Sequence, residues 1–232
     1  MTTNGETAQS ASRISTAEVI VEPIVYVVDD DRLIREMLSS LFRSVGLRVR
    51  LFESAQELLQ SELEDAPSCL VLDIRLPRLG GLDLQAELAK SNIRIPIIFL
   101  TGHGDVSTSV RAMKAGAVDF LTKPFREQEM LDAVTAALDR DQKRSHEERS
   151  HLDLQVRFAA LSVRERQIMA LVTGGLMNKQ VASKISIAQQ TVKIHRGNLM
   201  RKMRAKSLAD LVLMAENLGI RGQETTGELS GS

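Results

Sequence analysis

Five apolar runs constrain the fold of this chain more tightly than any other feature. They are IVYVV (Ile24–Val28), RVRLF (Arg48–Phe52), CLVLD (Cys69–Asp73), PIIFLT (Pro96–Thr101) and DFLT (Asp119–Thr122). A strand with one wet face alternates apolar and polar residues, whereas a run that is apolar throughout is covered on both faces. The stretches between the runs have helical spacing. In the first of them Leu33, Met37, Leu38, Leu41 and Val45 recur every three or four residues. Such strands alternating with helices predict an α/β fold, a five-stranded doubly wound parallel sheet with helices on both faces.

The pattern then changes. Residues 139 to 157, DRDQKRSHEERSHLDLQVR, carry charges of both signs and no Pro or Gly. They predict a solvated linker helix continuing the last helix of the sheet domain; a coiled coil is the alternative, with few apolar positions to support it. From Leu161 to Gly219 the punctuation is purely helical. Ser162 and Glu165 form a capping box, Gly174 and Gly175 end that helix, and Asn178 is expected to cap the next. A tight SIA turn leads to a helix from about Gln189 to Arg204, and Ser207 caps a last helix ending near Gly219. Two short helices joined by a tight turn, the second rich in Lys and Arg, read as helix-turn-helix.

The expected organisation is a sheet domain over residues 23–140, a helical linker over 141–157 and an all-α domain over 158–222, with disordered polar tails at 1–22 and 223–232. A chain of 232 residues can bury two cores. No apolar run approaches the roughly 20 residues that span a bilayer, and the N-terminal stretch has no signal-peptide core, so a cytoplasmic location without membrane contact is expected. The one cysteine, Cys69, excludes an internal disulfide and reads as a small core residue. The formal net charge of zero hides an asymmetry. Ile24 to Arg140 holds 14 basic and 18 acidic residues, while Asp153 to Gly222 holds 12 basic and 4 acidic. A basic C-terminal half points to a polyanionic partner.

In open parallel sheets ligands bind beyond the carboxyl ends of the strands. Asp29, Asp30 and Asp31 end the first run, Asp73 the third and Thr101 the fourth, and Lys123 follows the fifth. Carboxylates gathered this closely need a cation, and oxygen donors without histidine favour Mg²⁺. A carboxylate beside Mg²⁺ and an ammonium group can attack a phosphoryl group, with a Thr hydroxyl donating to one of its oxygens. Taken singly, Asp31 reads equally as a helix N-cap and Lys123 as a surface charge; the four strand ends together are far more specific.

The Gln189–Arg204 helix has two faces. Val192, Leu199 and Met203 share a core-facing stripe, while Lys193, Ile194 and Gly197 fall largely opposite. An outward Ile suits contact with a thymine methyl, and Gln190 and Lys193 suit base edges. Arg196, Arg201, Lys202 and Lys179 are placed for phosphate contacts, and His195 for packing or a phosphate bond. A solvated basic helix is the plainer alternative.

The segments VVDDD, LVLDIRLP, FLTGHGD and DFLTKPF resemble the receiver domains of two-component response regulators, a flavodoxin-like fold, over about Ile24 to Arg140. The resemblance implies Asp73 as phosphoacceptor from a sensor histidine kinase. It implies Asp30 as a direct Mg²⁺ ligand, Asp29 acting mostly through water, and the Arg75 carbonyl completing the set. Thr101 and Phe120 would be the switch pair, Lys123 would bond the phosphate, and the Lys123–Pro124 peptide would be cis. In the family the face near Val106, Val110, Met113, Val118 and Leu121 often becomes a dimer surface, although Val110 and Leu121 read better as core. The segments GLMNKQ, TVKIHRGNLMRKM and AKSL resemble the LuxR-type (GerE-like) output domain, and the whole chain resembles the FixJ/StyR/NodW group. This implies a four-helix domain with Ala188–Arg204 as recognition helix, so that Gln189 and Thr191 join the DNA-contact set, and the last helix as a dimer contact. Ala188 departs from the Ser or Thr cap of many members, and Gly197 offers no side chain to a base.

The resulting expectation is a phosphorylation-dependent transcriptional activator that dimerises when phosphorylated, binds double-stranded DNA and works with RNA polymerase. It would not be a conventional enzyme. Two rivals remain at this level: a phosphotransferase or phosphatase using an aspartyl-phosphate, and a relay module that passes phosphate to a protein without touching DNA.

Overall fold

The computed structural model of the protein describes residues 21 to 102 and 106 to 220. The expected tails, apart from Val21 and Glu22, and the His103–Asp105 part of FLTGHGD lie outside the described residues. The chain divides into two compact units, with the boundary between Gln142 and Lys143.

The first unit runs β1 (Ile24–Val28), α1 (Arg32–Ser44), β2 (Arg48–Phe52), α2 (Ala55–Gln60), β3 (Ser68–Asp73), α3 (Gly81–Lys90), β4 (Ile97–Thr101), α4 (Val106–Lys114), β5 (Asp119–Thr122) and then α5, which begins at Glu127. The sheet order is β2-β1-β3-β4-β5, and every pairing is parallel. All residues of β1, β3 and β4 are buried. Their side chains alternate between two cores. Ile24, Tyr26 and Val28 join Ala55, Leu58, Leu84, Leu88 and Ala112 from α2, α3 and α4. Val25 and Val27 join Leu38, Phe42, Met130, Val134 and Ala137 from α1 and α5. The continuous apolar runs thus reflect a sheet buried on both sides. Edge strand β2 is wetter, and the Arg50 guanidinium lies over the rings of Tyr26 and Phe52, 5.9 and 5.4 Å from their centroids.

Several expectations shift. β3 begins at Ser68, and β4 at Ile97, since Pro96 has no N–H for the ladder; its carbonyl accepts from the Leu70 amide at 2.9 Å. The buried line of α1 is Leu38, Ser39 and Phe42, while Leu33, Met37 and Val45 are exposed. Val110, expected in the core, is 44% exposed, because α4 docks through Ala112 instead. Leu121 and Val118 do pack against the core, and Met113 is exposed. Cys69 is fully buried, and burial pushes its thiol pKa up.

Helix α5 spans Glu127–Ala159, passing through the unit boundary as one helix. Most of the linker sequence is exposed, with Asp141 and Leu154 as its buried exceptions. Asp141 is 2% exposed and accepts a 2.9 Å hydrogen bond from the Ser68 amide at the start of β3. A strand's first N–H needs an acceptor, and Asp141 supplies one.

The second unit contains the end of α5, α6 (Val163–Thr173), α7 (Asn178–Lys184), α8 (Gln189–Met203) and α9 (Leu208–Asn217). Leu154, Leu161, Ile168, Met169, Val172, Val181, Val192, Leu199, Met203 and Leu211 make its core. The Ser162–Glu165 capping box forms, and Ser207 caps α9. The cap of α7 is Met177, not Asn178. Gln180 accepts from the Met177 amide at 2.8 Å, while the Asn178 side chain is engaged by Arg196.

Glu165 is 3% exposed and accepts from the Ser162 amide and, at 2.7 Å, from the Lys202 ammonium. Burial opposes its charge, but the Lys202 and Ser162 bonds outweigh it and hold its pKa below the ordinary glutamate value. A depressed acid contributes stability above its unfolded pKa and loses it as pH falls through the folded one. Glu165→Ala is expected to cost the second unit about 2 kcal/mol at neutral pH, with the difference from wild type shrinking below the glutamate range. Urea unfolding at several pH values measures this; a difference that does not change with pH would assign the loss to packing alone.

Candidate phosphoacceptor site and nucleic-acid interface

The sheet order brings the carboxyl ends of β1, β3, β4 and β5 side by side. Asp29 follows β1, Asp73 ends β3, Thr101 ends β4 and Lys123 follows β5. Carboxylate oxygens of Asp29, Asp30 and Asp73 lie within 4.8 Å of one another. Asp29 and Asp73 are buried and Asp30 is exposed. The Lys123 ammonium donates 2.6 Å bonds to Asp29 Oδ2 and Asp73 Oδ2. Asp29 Oδ1 accepts from the Asp31 amide at 3.0 Å, and Asp73 Oδ1 from the Arg75 amide at 2.8 Å. Asp73 is thereby fixed at both oxygens.

Burial pushes the Asp29 carboxyl above the ordinary aspartate value, although Lys123 opposes this. Burial disfavours the Lys123 charge, but its two carboxylate partners prevail and hold its pKa up. Three carboxylates face one ammonium, so the cluster retains negative charge. An all-oxygen set with excess negative charge fits a hard divalent cation.

Asp31 caps α1 by accepting from the Leu33 amide at 2.8 Å. Thr101 is buried, and its carbonyl accepts from the Lys123 amide at 2.6 Å. Phe120 is half-buried on β5, opposite Phe99. The Lys123–Pro124 peptide is cis. Two supporting residues escaped the sequence reading. Arg35 donates to the carbonyls of Asp29 at 2.7 Å and Asp30 at 3.0 Å, bracing the acidic turn. Its only signal was a basic residue one turn into the helix after the Asp run. Gly81 begins α3 against Asp73, where a Cβ would sit 2.5 Å from the Asp73 carbonyl oxygen. Any side chain there would push the Asp73 end of β3 away.

In the second unit α8 exposes Gln189, Gln190, Lys193, Ile194, Gly197 and Arg201, with Ile194 at 58%. Gln190, the adjacent pair Lys193 and Ile194, Gly197 and Arg201 succeed one another at three- and four-residue steps, so they share a stripe. Thr191, His195 and Arg196 are half-buried, and Lys179 is exposed on α7. Arg196 donates to Asn178 Oδ1 at 2.9 Å, tying α8 to the start of α7. Lys202 donates to Glu165 and to the Ala160 carbonyl, so it belongs to internal bonding as well as to the basic face. Ala188 stands at the N-cap of α8 with no side-chain bond.

Residues 25–135 match the response regulator receiver domain family, and residues 159–215 match the bacterial regulatory proteins of the luxR family. The chain is 59% identical to Nodulation protein W of Bradyrhizobium diazoefficiens over 208 residues, covering 90% of this chain and 92% of that one. The chain belongs to the response regulators. This response regulator is also 47% identical to the response regulator protein TodT of Pseudomonas putida, over 84% of its own length and 86% of TodT. Among solved structures it is similar to the response regulator StyR, with a TM-score of 0.79 and 45% identity, covering 84% of this chain and 98% of StyR. With a receiver and a luxR-type DNA-binding domain on one chain, it is a two-component transcriptional regulator. Among the described residues no helix is long and apolar enough to cross a membrane.

Proposed function

We propose that this response regulator is a phosphorylation-dependent activator of transcription, working in the cytoplasm and switched at Asp73. The observation that carries the reading is the double anchoring of Asp73 between Lys123 and the Arg75 amide, beside Asp29 and Asp30. Asp73 attacks the phosphorus of a phosphohistidine on a sensor histidine kinase. An O–P bond forms, the P–N bond breaks and the histidine nitrogen keeps the electron pair. Asp29, Asp30, Asp73 and the Arg75 carbonyl would hold Mg²⁺, which when bound supplies charge neutralisation for the transferred phosphoryl group. Lys123 exchanges the Asp73 carboxylate for a phosphate oxygen, and Thr101 donates its hydroxyl to another. Phe120, on the neighbouring strand, turns into the space that Thr101 leaves. The phosphoryl group is then lost slowly to water, so the chain is not a conventional enzyme.

The domain limits that go with this reading are a receiver over 23–140, a linker over 141–157 and a DNA-binding domain over 158–222. The phosphorylated form is a homodimer on double-stranded DNA and engages RNA polymerase. Gln189, Gln190, Thr191, Lys193, Ile194 and Gly197 face base edges or the groove; Lys179, His195, Arg196, Arg201 and Lys202 approach phosphates, Lys202 with only the capacity that Glu165 leaves it.

The deciding experiment joins two measurements on the full chain. Intact mass after acetyl phosphate and magnesium treatment should show one added phosphoryl group, and duplex DNA binding should strengthen with it and weaken steeply with salt. No added group removes the switch, and salt-insensitive binding removes the DNA interface. Arg201→Ala should flatten the slope of log affinity against log salt by about 0.9 on any sequence. An unchanged slope would take Arg201 off the phosphate contacts.

A further inference from the structure

Gly197 stands in the middle of α8 and at the centre of its exposed stripe, with Lys193, Ile194 and Arg201 one turn away. A glycine inside a helix destabilises it relative to alanine, because glycine loses more backbone freedom on folding. Such a glycine persists where φ is positive or where another part of the protein crowds it. Neither applies here. Gly197 is not among the positive-φ glycines, and a Cβ built on it meets no heavy atom within 4 Å. Gly81, pressed against the Asp73 carbonyl, is the opposite case. The folded domain therefore supplies no reason for the missing side chain, and the reason lies in what α8 touches.

The notch has charged flanks at Lys193 and Arg201 and one apolar wall, Ile194, which is largely exposed. In a major groove the apolar projection from a base edge is the thymine C5 methyl. We infer that Gly197 is a specificity determinant of DNA recognition, its bare backbone and Ile194 forming a notch that seats one thymine methyl. This rests on the reading that α8 enters the major groove. A methyl at position 197 would occupy the volume meant for the base's own methyl, and the helix would be held off the groove floor.

Wild type and Gly197→Ala, each as the full chain treated with acetyl phosphate and magnesium, are titrated with a duplex that the wild type enriches from a randomised pool. The same duplex is remade with each thymine in turn replaced by deoxyuridine, which lacks the methyl. The variant should melt about 4 °C higher, because alanine is the better helix former and nothing obstructs it. It should bind the enriched duplex roughly ten-fold more weakly, and recover most of that loss on one deoxyuridine duplex. A variant that melts lower, binds the enriched duplex as tightly as wild type, or loses affinity without recovery on any deoxyuridine duplex overturns the inference. If the wild type enriches no sequence and shows no salt-sensitive binding, the groove reading itself fails and takes the notch with it. A failure confined to the variant removes the notch and leaves the groove reading standing.

Discussion

Asp73→Asn should gain no phosphoryl group from acetyl phosphate and magnesium, while the wild-type chain gains one. The substitution keeps the shape of the site. An asparagine carbonyl can still accept from the Arg75 amide, which holds Asp73 Oδ1 at 2.8 Å, and Lys123 keeps its 2.6 Å bond to Asp29. What is lost is the nucleophilic carboxylate and, with it, the 2.6 Å bond that Asp73 Oδ2 accepts from Lys123. The neighbouring acids are poor substitutes for different reasons: Asp29 is fully buried and committed to Lys123 and the Asp31 amide, whereas Asp30 is exposed. If Asp30 were the acceptor, the variant would still gain mass and the assignment would move one strand over. Genome-wide footprinting with the same pair tests the second half of the switch. Occupancy should drop in the variant to that of the unphosphorylated wild type; equal occupancy would mean that DNA binding ignores the receiver.

Much of this arrangement was readable because its causes are local. Central strands buried on both faces must be apolar at every position, so β1, β3 and β4 stand out as unbroken runs. Their carboxyl ends then carry the polar residues, and parallel topology brings those ends to one edge. The misreadings have causes that no local pattern records. Periodicity located an apolar side on α1 but could not tell Leu33 and Met37 from Leu38 and Phe42, since that depends on how the helix is rotated on the sheet. Asp141 looked like one more charge on a wet helix. Its burial comes from Ser68, whose amide lies 73 residues earlier in the chain. Lys202 looked free for phosphate until Glu165, the capping residue of another helix, was found beside it. Arg35 and Gly81 serve the site through backbone contacts, which leave no motif in side-chain spacing.

Lys123→Ala should make the stability of the receiver depend on magnesium. Lys123 bridges Asp29 and Asp73, with its own side chain 19% exposed. Removing it leaves two buried or nearly buried carboxylates repelling each other, with a third from Asp30 close by. Breaking a buried ion pair by deleting one partner costs about 3–5 kcal/mol, and here the lower figure is expected because Asp30 opens to water. The first relief available to the site is protonation of Asp29, whose pKa burial already raises; the second is a divalent cation. Without the ammonium the cluster carries one more negative charge, so the variant should bind magnesium more tightly than wild type. Whatever binds the native state alone adds RT ln(1 + [L]/Kd) to its stability. Urea unfolding in chelator should therefore separate the two proteins by roughly 3 kcal/mol, and saturating magnesium should reduce the gap to about 1. A gap of the same size with and without the ion would mean that the metal does not occupy the acidic cluster. A variant as stable as wild type in chelator would mean that the 2.6 Å bonds of Lys123 are not holding the carboxylates together. On the proposed reading, the ammonium that restrains Asp73 at rest would have to release it for attack, and Asp29 and Asp30 would hold the cation whose charge replaces it.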